Sequence, residues 1–253
     1  MEPPFTTLTF MFPMWNEEEM IMRTIGAARE TGADLIAAEL IADYEILLVD
    51  DASTDATGKI ADELAASDER IRVVHHPVNR KLGGSVRTGL AEARGDLVLY
   101  TDADMPFDLA DLHKALRLMR VYDADIVSAY RFDRTGEGNR RAVISYVYNS
   151  LVKVFFALRI RDVNFAFKVI RSNVLEHLHL ESEGSFIDAE LLAKAQRLGF
   201  NIIQFGVDYF PRDRGTSTLS SPTVIKNILR ELVELQRSIR ATQRLPERAL
   251  RHR

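Results

Sequence analysis

Two aspartates, two positions apart, are the residues of this sequence with the clearest chemical capability. Asp102 and Asp104 follow the apolar run at residues 97–100, which is typical of a buried strand. Alternate residues of an extended segment point to the same side, so we expect the two carboxylates to lie together. Hard divalent cations such as Mg²⁺ or Mn²⁺ prefer carboxylate oxygens and can bridge a diphosphate. The pair therefore predicts a metal site in an enzyme that handles nucleotides, and the alternative is a solvated acidic loop.

A second acidic cluster follows another apolar run, at residues 44–49. Asp50 and Asp51 stand where the strand would end, and ligands of open α/β sheets bind beyond the carboxyl ends of the strands. Their carboxylates could accept hydrogen bonds from a nucleotide base or ribose. The alternative is that Ser53 or Asp55 caps the next helix while the acids are solvated. An acidic pocket of the phosphorylated receiver type fits the other motifs less well.

A glycine-containing turn at residues 79–89 is the third cluster. Gly83 and Gly84 would lead into a helix whose first amides, helped by Lys81 and Arg87, suit an anion. The segment matches neither the phosphate loop of nucleoside triphosphatases nor the dinucleotide-binding glycine pattern. Close packing between a strand and a helix is the alternative reason for the glycines.

The pattern of the whole chain predicts the sheet that would bring these clusters together. Apolar runs predict strands at residues 8–12, 44–49, 71–75, 96–100, 126–129, 165–170 and 201–209. Amphipathic segments predict helices at residues 17–31 (capped by Asn16), 57–67, 85–93, 109–122, 140–158, 188–198 and 223–240. Continuous apolar strands that alternate with helices indicate an α/β fold with a mostly parallel sheet covered on both faces.

Composition narrows the classes of protein. A chain of 253 residues with 46% hydrophobic residues suits one large α/β domain or a domain with a small appendage. The formal net charge of -4 gives no electrostatic case for a nucleic-acid partner. Disulfides are excluded because the chain has no cysteine. No secretion signal or membrane-spanning run is apparent, which leads us to expect a cytoplasmic protein.

Three motifs together resemble family 2 glycosyltransferases of the GT-A fold. Residues 12–19 (FPMWNEEE) resemble the VPxYNEEE opening of that family, residues 50–57 its second nucleotide-binding motif, and Asp102-Ala103-Asp104 its metal-binding DxD. The resemblance extends over residues 1–130. It implies that the base and ribose pocket is lined by Pro13, Trp15, Glu17 and Asp51. It also implies that Asp104 contacts Mg²⁺ or Mn²⁺ and that Asp102 lies close to the ribose or diphosphate.

The second half of the chain resembles one subfamily. Residues 162–168 (DVNFAFK) are similar to the DxxxGFK stretch of polyprenyl-phosphate glycosyltransferases, which include dolichyl-phosphate mannose and glucose synthases; Ala166 replaces the usual glycine. In that subfamily the lipid phosphate is held by residues matching Arg131, Arg141 and Ser145. A loop over the active site, RxxGxSK, is matched by Arg212, Gly215 and Ser217, but Thr218 replaces its lysine.

Residues of the acceptor half also allow other interpretations. Forked guanidinium groups suit a phosphate, but Arg131 could instead pair with Asp133, and Arg141 could be a solvated helix start. Asp188 would be the general base if the acceptor were a hydroxyl; a phosphate acceptor needs positioning rather than a base. Asp188 could also orient the acceptor, or cap the helix that follows it.

Together with these residues, the resemblance implies an inverting glycosyltransferase that moves a hexose from a nucleotide diphosphate sugar to a polyprenyl phosphate. Pro106 stands where mannosyl-type enzymes often have a glutamine, which slightly favours a UDP-sugar over GDP-mannose. The alternatives are transfer to a hydroxyl of a soluble or polysaccharide acceptor, a catalytically silent nucleotide-sugar-binding protein, and a nucleotidyltransferase.

The predicted organisation is a catalytic domain at residues 1–222, with its nucleotide-binding part at 1–130 and its acceptor part at 131–222. Residues 223–253 would form an amphipathic helix and a frayed basic tail. Apolar residues of the helix at 140–158 and the basic tail leave peripheral contact with the cytoplasmic membrane face open, and an oligomer contact is equally compatible.

Overall fold

The computed structural model describes residues 4–132, 139–210 and 222–250; at residues 139–145, 222–225, 229, 248 and 249 it describes the backbone alone. The strands of this part are β1 (Phe5–Met14), β2 (Ile41–Asp50), β3 (Ile71–His75), β4 (Leu97–Thr101), β5 (Ile126–Arg131), β6 (Phe167–Arg171) and β7 (Ile202–Val207). The helices are α1 (Ile21–Ala37), α2 (Thr57–Ser67), α3 (Lys81–Glu92), α4 (Asp111–Val121), α5 (Asn139–Phe156), α6 (Ser172–Leu175), α7 (Ile187–Leu198), α8 (Pro222–Ala241) and α9 (Glu247–Leu250).

One seven-stranded sheet, with the order β3-β2-β1-β4-β6-β5-β7, organises the molecule. All neighbouring strands are parallel except β6, which is antiparallel to both β4 and β5. Because β4 and β5 both run opposite to β6, they run in the same direction. The carboxyl ends of β1, β2, β4 and β5 therefore lie at one edge of the sheet, where β6 begins; we call it the carboxyl edge. The mostly parallel α/β sheet is confirmed.

Both faces of the sheet are covered, as the continuous apolar strands predicted. Neighbouring residues of β1 belong to different cores: Phe10 and Phe12 pack in one buried cluster, and Met11 packs in the other. The second cluster also receives Ile228 and Leu232 of α8. In the part of the chain that the structure describes, no helix is long and apolar enough to cross a membrane.

The predicted start of the first helix was wrong. α1 begins at Ile21 after Met20, which makes no side-chain cap, and it ends at Ala37. Asn16 adopts a positive φ of 56°. Its side-chain oxygen accepts the N–H of Thr54 at 2.8 Å instead of capping a helix. The residues after β1 are held by the loop after β2, so the helix begins at Ile21, four residues after the predicted start at Glu17.

The glycine-containing turn is also placed differently. α3 begins at Lys81, so Gly83 and Gly84 lie in its first turn rather than before it. A Cβ atom at Gly83 would overlap the backbone of residues 182–184, which explains the glycine as a site of close approach. At the other end of the chain, the short helix α9 occupies part of the tail that we expected to be frayed.

Candidate active site

The carboxyl edge collects side chains from four strands. β1 and β2 pair in register Met14↔Asp50, which brings Trp15 beside Asp51 just beyond the strand ends. The neighbouring strand β4 leads directly to Asp102, and β5 ends at Arg131. The structure thus gathers both predicted nucleotide motifs, the acidic pair and one of the predicted acceptor arginines at one edge of the sheet.

The loops after β1 and β2 are joined by hydrogen bonds. The N–H of Asn16 donates to Ser53 Oγ at 3.0 Å, and the N–H of Glu17 donates to Thr57 Oγ1 at 2.8 Å. In the other direction, the N–H of Ala56 donates to a Glu18 carboxylate oxygen at 2.8 Å. Several motif residues therefore hold one loop to the other, which fixes the base of a pocket.

The side chains predicted to line that pocket differ in exposure. Trp15 is 53% exposed, so a large aromatic face is accessible beside the strand end. Pro13 and Glu17 are half-buried, whereas Asp51 is buried. An exposed indole beside a buried carboxylate is suited to stacking a base and accepting its hydrogen bonds.

Asp51 is held through both its backbone and its side chain, and the Asn79 amide donates to its carbonyl at 3.2 Å. The N–H of Asp51 donates to the Met14 carbonyl, while its Oδ1 lies 2.7 Å from the Arg80 backbone nitrogen and 2.7 Å from His76 Nδ1. The other ring nitrogen of His76 lies 2.9 Å from Thr88 Oγ1. His76 was not among the predicted site residues, because the register between β2 and β3, which places it beside Asp51, is not specified by the sequence.

The acidic pair lies in a tight turn after β4. The N–H of Met105 donates to the Asp102 carbonyl at 3.3 Å, and Met105 has a positive φ of 37°. The Thr24 hydroxyl of α1 donates to the Ala103 carbonyl at 2.6 Å, which ties the turn to the helix behind it. Asp102 and Asp104 are both half-buried.

These two carboxylates fit a divalent cation that is completed by other ligands. Asp102 and Asp104 offer hard oxygen atoms of the kind that Mg²⁺ and Mn²⁺ prefer. Within the described residues, no group of three or more His, Cys, Asp or Glu side chains could enclose a metal ion. The described part of the chain thus supplies few ligands, and diphosphate oxygens and water could provide others. Pro106 adds no side-chain ligand.

The start of α3 does not present its amides to a ligand. The N–H groups of Gly83 and Gly84 donate to the Glu183 carbonyl at 3.0 and 3.4 Å. The Glu183 carboxylate lies 2.5 Å from Arg87 Nη1 and 3.2 Å from Arg80 Nη2. The two glycine amides are therefore not available to bind an anion, contrary to our expectation. The glycines instead allow the loop at residues 182–184 to pack closely against α3. The side chain of Lys81 is exposed, and the roles of Lys81 and Arg87 towards a diphosphate stay predictions.

Arg131 is oriented by a buried carboxylate. Its Nε and Nη2 lie 2.8 and 3.1 Å from the two oxygens of Asp162, and the two side chains are only 9% and 2% exposed. The rings of Phe165 and Tyr209 lie 5.6 and 5.3 Å from the guanidinium. Asp162 therefore pairs with Arg131 in the place that we considered for Asp133, which lies outside the described residues.

The other predicted acceptor residues are less defined. Arg141 and Ser145 lie in α5, where only the backbone is described, and Arg212 and Ser217 lie outside the described residues. Their contacts with a phosphate stay predictions.

Asp188 is buried in an ion pair rather than at a helix cap. α7 begins at Ile187 with no side-chain cap, and Asp188 Oδ1 lies 2.5 Å from the Nζ of the fully buried Lys168. The same Nζ donates to the Phe165 carbonyl and lies 5.5 Å from the Tyr100 ring. Burial raises the pKa of Asp188, and the Lys168 ammonium opposes that rise.

Tyr100 connects this pair to the acidic turn. Burial, and then the charges of Asp188 and Asp102, raise the pKa of its hydroxyl well above the usual value. Lys168 is thus a buried cation beside the strand that leads into the turn, and we predicted no role for it from the sequence. A lysine within the apolar run of β6 was the signal that could have drawn attention to it.

A second buried pair shapes the loop that reaches α3. Lys194 Nζ lies 2.7 Å from the fully buried Glu190, whose carboxylate accepts the N–H groups of Glu181 and Ser182. Ser182 in turn donates to Glu231 of α8 at 2.8 Å. This network, which sequence analysis did not find, holds the segment that bonds to Arg80 and Arg87.

Comparison with known proteins agrees with the motifs. The model of the family "Glycosyl transferase family 2" matches residues 9–178. Glycosyltransferase AglD of Haloferax volcanii is 33% identical over 210 residues, which cover 81% of this chain. The chain spans only 33% of the length of that relative. An undecaprenyl-phosphate mannosyltransferase of Micrococcus luteus is 27% identical over 85% of this chain and 88% of its own length.

Solved structures share the fold. Glucosyl-3-phosphoglycerate synthase of Mycobacterium tuberculosis, in complex with Mn²⁺ and UDP-glucose, superimposes with a TM-score of 0.64 at 20% identity, covering 92% of this chain and 79% of the other. Mannosyltransferase PcManGT of Pyrobaculum calidifontis, in complex with GDP-Man and Mn²⁺, gives a TM-score of 0.61 at 18% identity over 92% and 68%. At this level of identity the likeness concerns the fold alone.

Proposed function

The chain belongs to glycosyl transferase family 2, and we propose that it transfers a hexose from a nucleotide diphosphate sugar to a polyprenyl phosphate with inversion at the anomeric carbon. Relatives named for undecaprenyl-phosphate and polyprenol phosphate mannose transfer support this acceptor class. The observation that carries the choice is the burial of Asp188 against Lys168, because the acid that would serve a hydroxyl acceptor as base is held in an ion pair.

The donor would lie across the ends of β1, β2 and β4. Trp15 stacks on the base, Asp51 accepts its hydrogen bonds, and Pro13 and Glu17 complete the pocket with the ribose close to Asp102. A divalent cation held by Asp102 and Asp104, when bound, supplies positive charge that stabilises the departing diphosphate. Lys81 and Arg87 add positive charge on that side.

The acceptor would approach from the end of β5. Arg131, Arg141 and Arg212, with Ser145 and Ser217, hold the phosphate of the acceptor in line with the anomeric carbon. A phosphate oxygen forms the new bond to that carbon on one face while the bond to the diphosphate oxygen breaks on the other, which inverts the configuration. A phosphate is already an anion, so no proton has to be removed. Asp188 then has a positioning role.

The runner-up is transfer to a hydroxyl, with Asp188 as the base. Burial raises the pKa of Asp188, a direction that favours accepting a proton at neutral pH. The nearby Lys168 opposes this role, because an ammonium at 2.5 Å stabilises the carboxylate form. A silent nucleotide-sugar-binding protein is the third candidate, and the retention of both Asp102 and Asp104 counts against it.

A lipid acceptor implies contact with the cytoplasmic membrane face. α5 carries exposed apolar side chains, with Tyr146 at 73% and Val154 at 82% exposure. These side chains are on the helix that also bears Arg141, so their position is compatible with peripheral contact near the acceptor.

Transfer assays test the proposal. The protein with Mn²⁺ or Mg²⁺ is incubated with UDP-glucose, UDP-GlcNAc or GDP-mannose, each with and without a short polyprenyl phosphate. We expect transfer to the lipid phosphate, with a UDP-sugar slightly favoured, and an α-linked donor should give a β-linked product. Asp104→Asn should lower the turnover by about a hundredfold or more, since it removes a charged metal ligand. Transfer only to a hydroxyl acceptor, or full activity of that variant, would contradict the proposal.

A further inference from the structure

Two histidines at the end of β3 face the two aspartates at the end of β2. The parallel register Asp50↔His75 places the pairs side by side, and the alternation along each strand sends them to opposite faces of the sheet. His75 Nδ1 lies 2.8 Å from Asp50 on one face, and His76 Nδ1 lies 2.7 Å from Asp51 on the other. Each carboxylate therefore has its own imidazole.

The contacts of His76 determine which of its nitrogens carries the hydrogen. The Asp51 carboxylate oxygen can only accept, so His76 Nδ1 donates in the contact between them. Thr88 Oγ1, which accepts from Arg80 Nη1 at 3.3 Å, can donate to His76 Nε2. Nδ1 therefore carries a hydrogen that points to Asp51. The opposite tautomer would set a nitrogen lone pair against a carboxylate, which is unfavourable.

We propose that His76 is a positioning residue for the donor: it holds the Asp51 carboxylate in the orientation that reads the base. The inference rests on the proposed function, in which Asp51 accepts a hydrogen bond from the base. The Arg80 amide and His76 Nδ1 both meet Asp51 Oδ1, and two donors on one oxygen fix the rotation of the carboxylate and hence the place of its second oxygen. His76 and Asp51 are both buried, so the bond between them is well shielded from water.

His75 is a natural control for this role. It makes the same type of bond to the preceding aspartate, but it also contacts Asp62 of α2 at 3.0 Å, and its side chain is 42% exposed. Asp50 and His75 lie on the opposite face of the sheet from Asp51 and His76. Replacing His75 therefore removes a comparable histidine–aspartate contact without touching Asp51.

The experiment measures nucleotide affinity. The chain has a single tryptophan, Trp15, at the proposed base pocket, so quenching of its fluorescence reports binding of UDP or GDP directly. We expect His76→Leu to weaken binding of the preferred nucleotide about ten- to a hundredfold, the loss typical of a hydrogen bond to a charged group. His75→Leu should leave the affinity unchanged. Inhibition of sugar transfer by pyrophosphate, which has no base, should be the same in the His76 variant and the wild type.

Two conservative variants separate positioning from folding. The amide nitrogen of Asn can take the place of Nδ1, whereas that of Gln approximates Nε2. His76→Asn should therefore keep most of the affinity, and His76→Gln should lose it, at similar melting temperatures.

Failure of the proposed role of His76 can be told apart from failure of the proposed function. Wild-type binding with an unchanged affinity in His76→Leu, or equal affinities of the Asn and Gln variants, overturns the inference alone. An equal weakening of pyrophosphate inhibition also overturns it, because the effect is then not directed at the base. If the wild type binds neither UDP nor GDP, the proposed function fails, and the inference fails with it.

Discussion

The carboxyl edge has a proposed donor side, formed by β3, β2, β1 and β4, and a proposed acceptor side, formed by β6, β5 and β7. The two sides hold their charged groups by different means. On the donor side, loops bond to each other through amides and short polar side chains, and Asp51 is held by an amide and a histidine. On the acceptor side, Arg131–Asp162 and Lys168–Asp188 are buried ion pairs. The acceptor side therefore pairs buried charges with one another, whereas the donor side holds its carboxylate with an amide and a histidine.

The difference follows from the strand order. On the donor side, β3, β2, β1 and β4 are all parallel, and each motif follows a strand end. On the acceptor side, the antiparallel strand β6 brings its own beginning to the carboxyl edge, so that Lys168 lies beside the strand that leads into the acidic turn and donates to the Phe165 carbonyl. A lysine that enters the interior in this way needs a partner, which α7 supplies as Asp188.

Breaking the Lys168–Asp188 pair should have the largest effect. Lys168→Met leaves the Asp188 carboxylate buried without its cation, and we expect the free energy of unfolding to fall by about 3–5 kcal/mol. Urea denaturation measures this change. The double variant Lys168→Met/Asp188→Leu should regain most of the loss, because an apolar pair no longer has to desolvate a charge.

An exposed ion pair supplies the matched control. Arg230 Nε and Glu234 Oε1 of α8 lie 3.7 Å apart, and both side chains are exposed, at 61% and 60%. Arg230→Met should change the stability by less than about 1 kcal/mol. Equal losses of unfolding free energy in the Lys168 and Arg230 variants would contradict the view that the buried pair on the acceptor side contributes more than an exposed pair.

Replacing Arg131 tests whether the two sides act separately. Arg131→Lys keeps the charge but loses the two-point contact with Asp162, and we expect the KM for the polyprenyl phosphate to rise by about tenfold. The KM for the donor should stay within about twofold, since Arg131 is at the end of β5 and not at the donor strands. Initial-rate kinetics with each substrate varied give both values.

Arg70 is the control for this substitution. It pairs with Asp43 through Nε at 3.1 Å, near the start of β3 and away from the carboxyl edge. Arg70→Lys should leave both KM values unchanged. A rise in the donor KM of Arg131→Lys as large as that in the acceptor KM would show that the sides are coupled.

Elements with local sequence signals were predicted well, whereas contacts between distant parts of the chain were not. The bounds of α2 and β3 agree with the prediction, because their apolar periodicity and turn residues are local signals. Asn16 was wrongly predicted to cap a helix. Its actual partner, Thr54, is 38 residues away in the chain, so the contact leaves no local signal. The direction of β6 was not predictable, since a short apolar run looks alike in parallel and antiparallel strands.

The buried pairs were the least accessible from sequence. Asp162 lies 31 residues from Arg131, and Asp188 lies 20 residues from Lys168, so the pairings depend on tertiary structure. Glu190 and Lys194 do show the helical i,i+4 spacing. That spacing is typical of a solvated helix face, and only the structure shows that both side chains are buried and hold the 179–182 loop.

The smallest expected effect concerns pH and the donor-side pair His75–Asp50. The hydrogen bond to Asp50, and then that to Asp62, raise the pKa of His75 above 6.5. Protonated His75 thus stabilises the folded state below pH 6.5, and this contribution is lost as the pH rises through the raised pKa. His75→Gln should remove it, so the difference in unfolding free energy between the wild type and the variant should shrink with rising pH. Since the imidazole is 42% exposed, we expect a difference of less than about 1 kcal/mol. Urea denaturation from pH 6 to pH 8.5 measures it, and a difference independent of pH would mean that the pair does not act through the charge of His75.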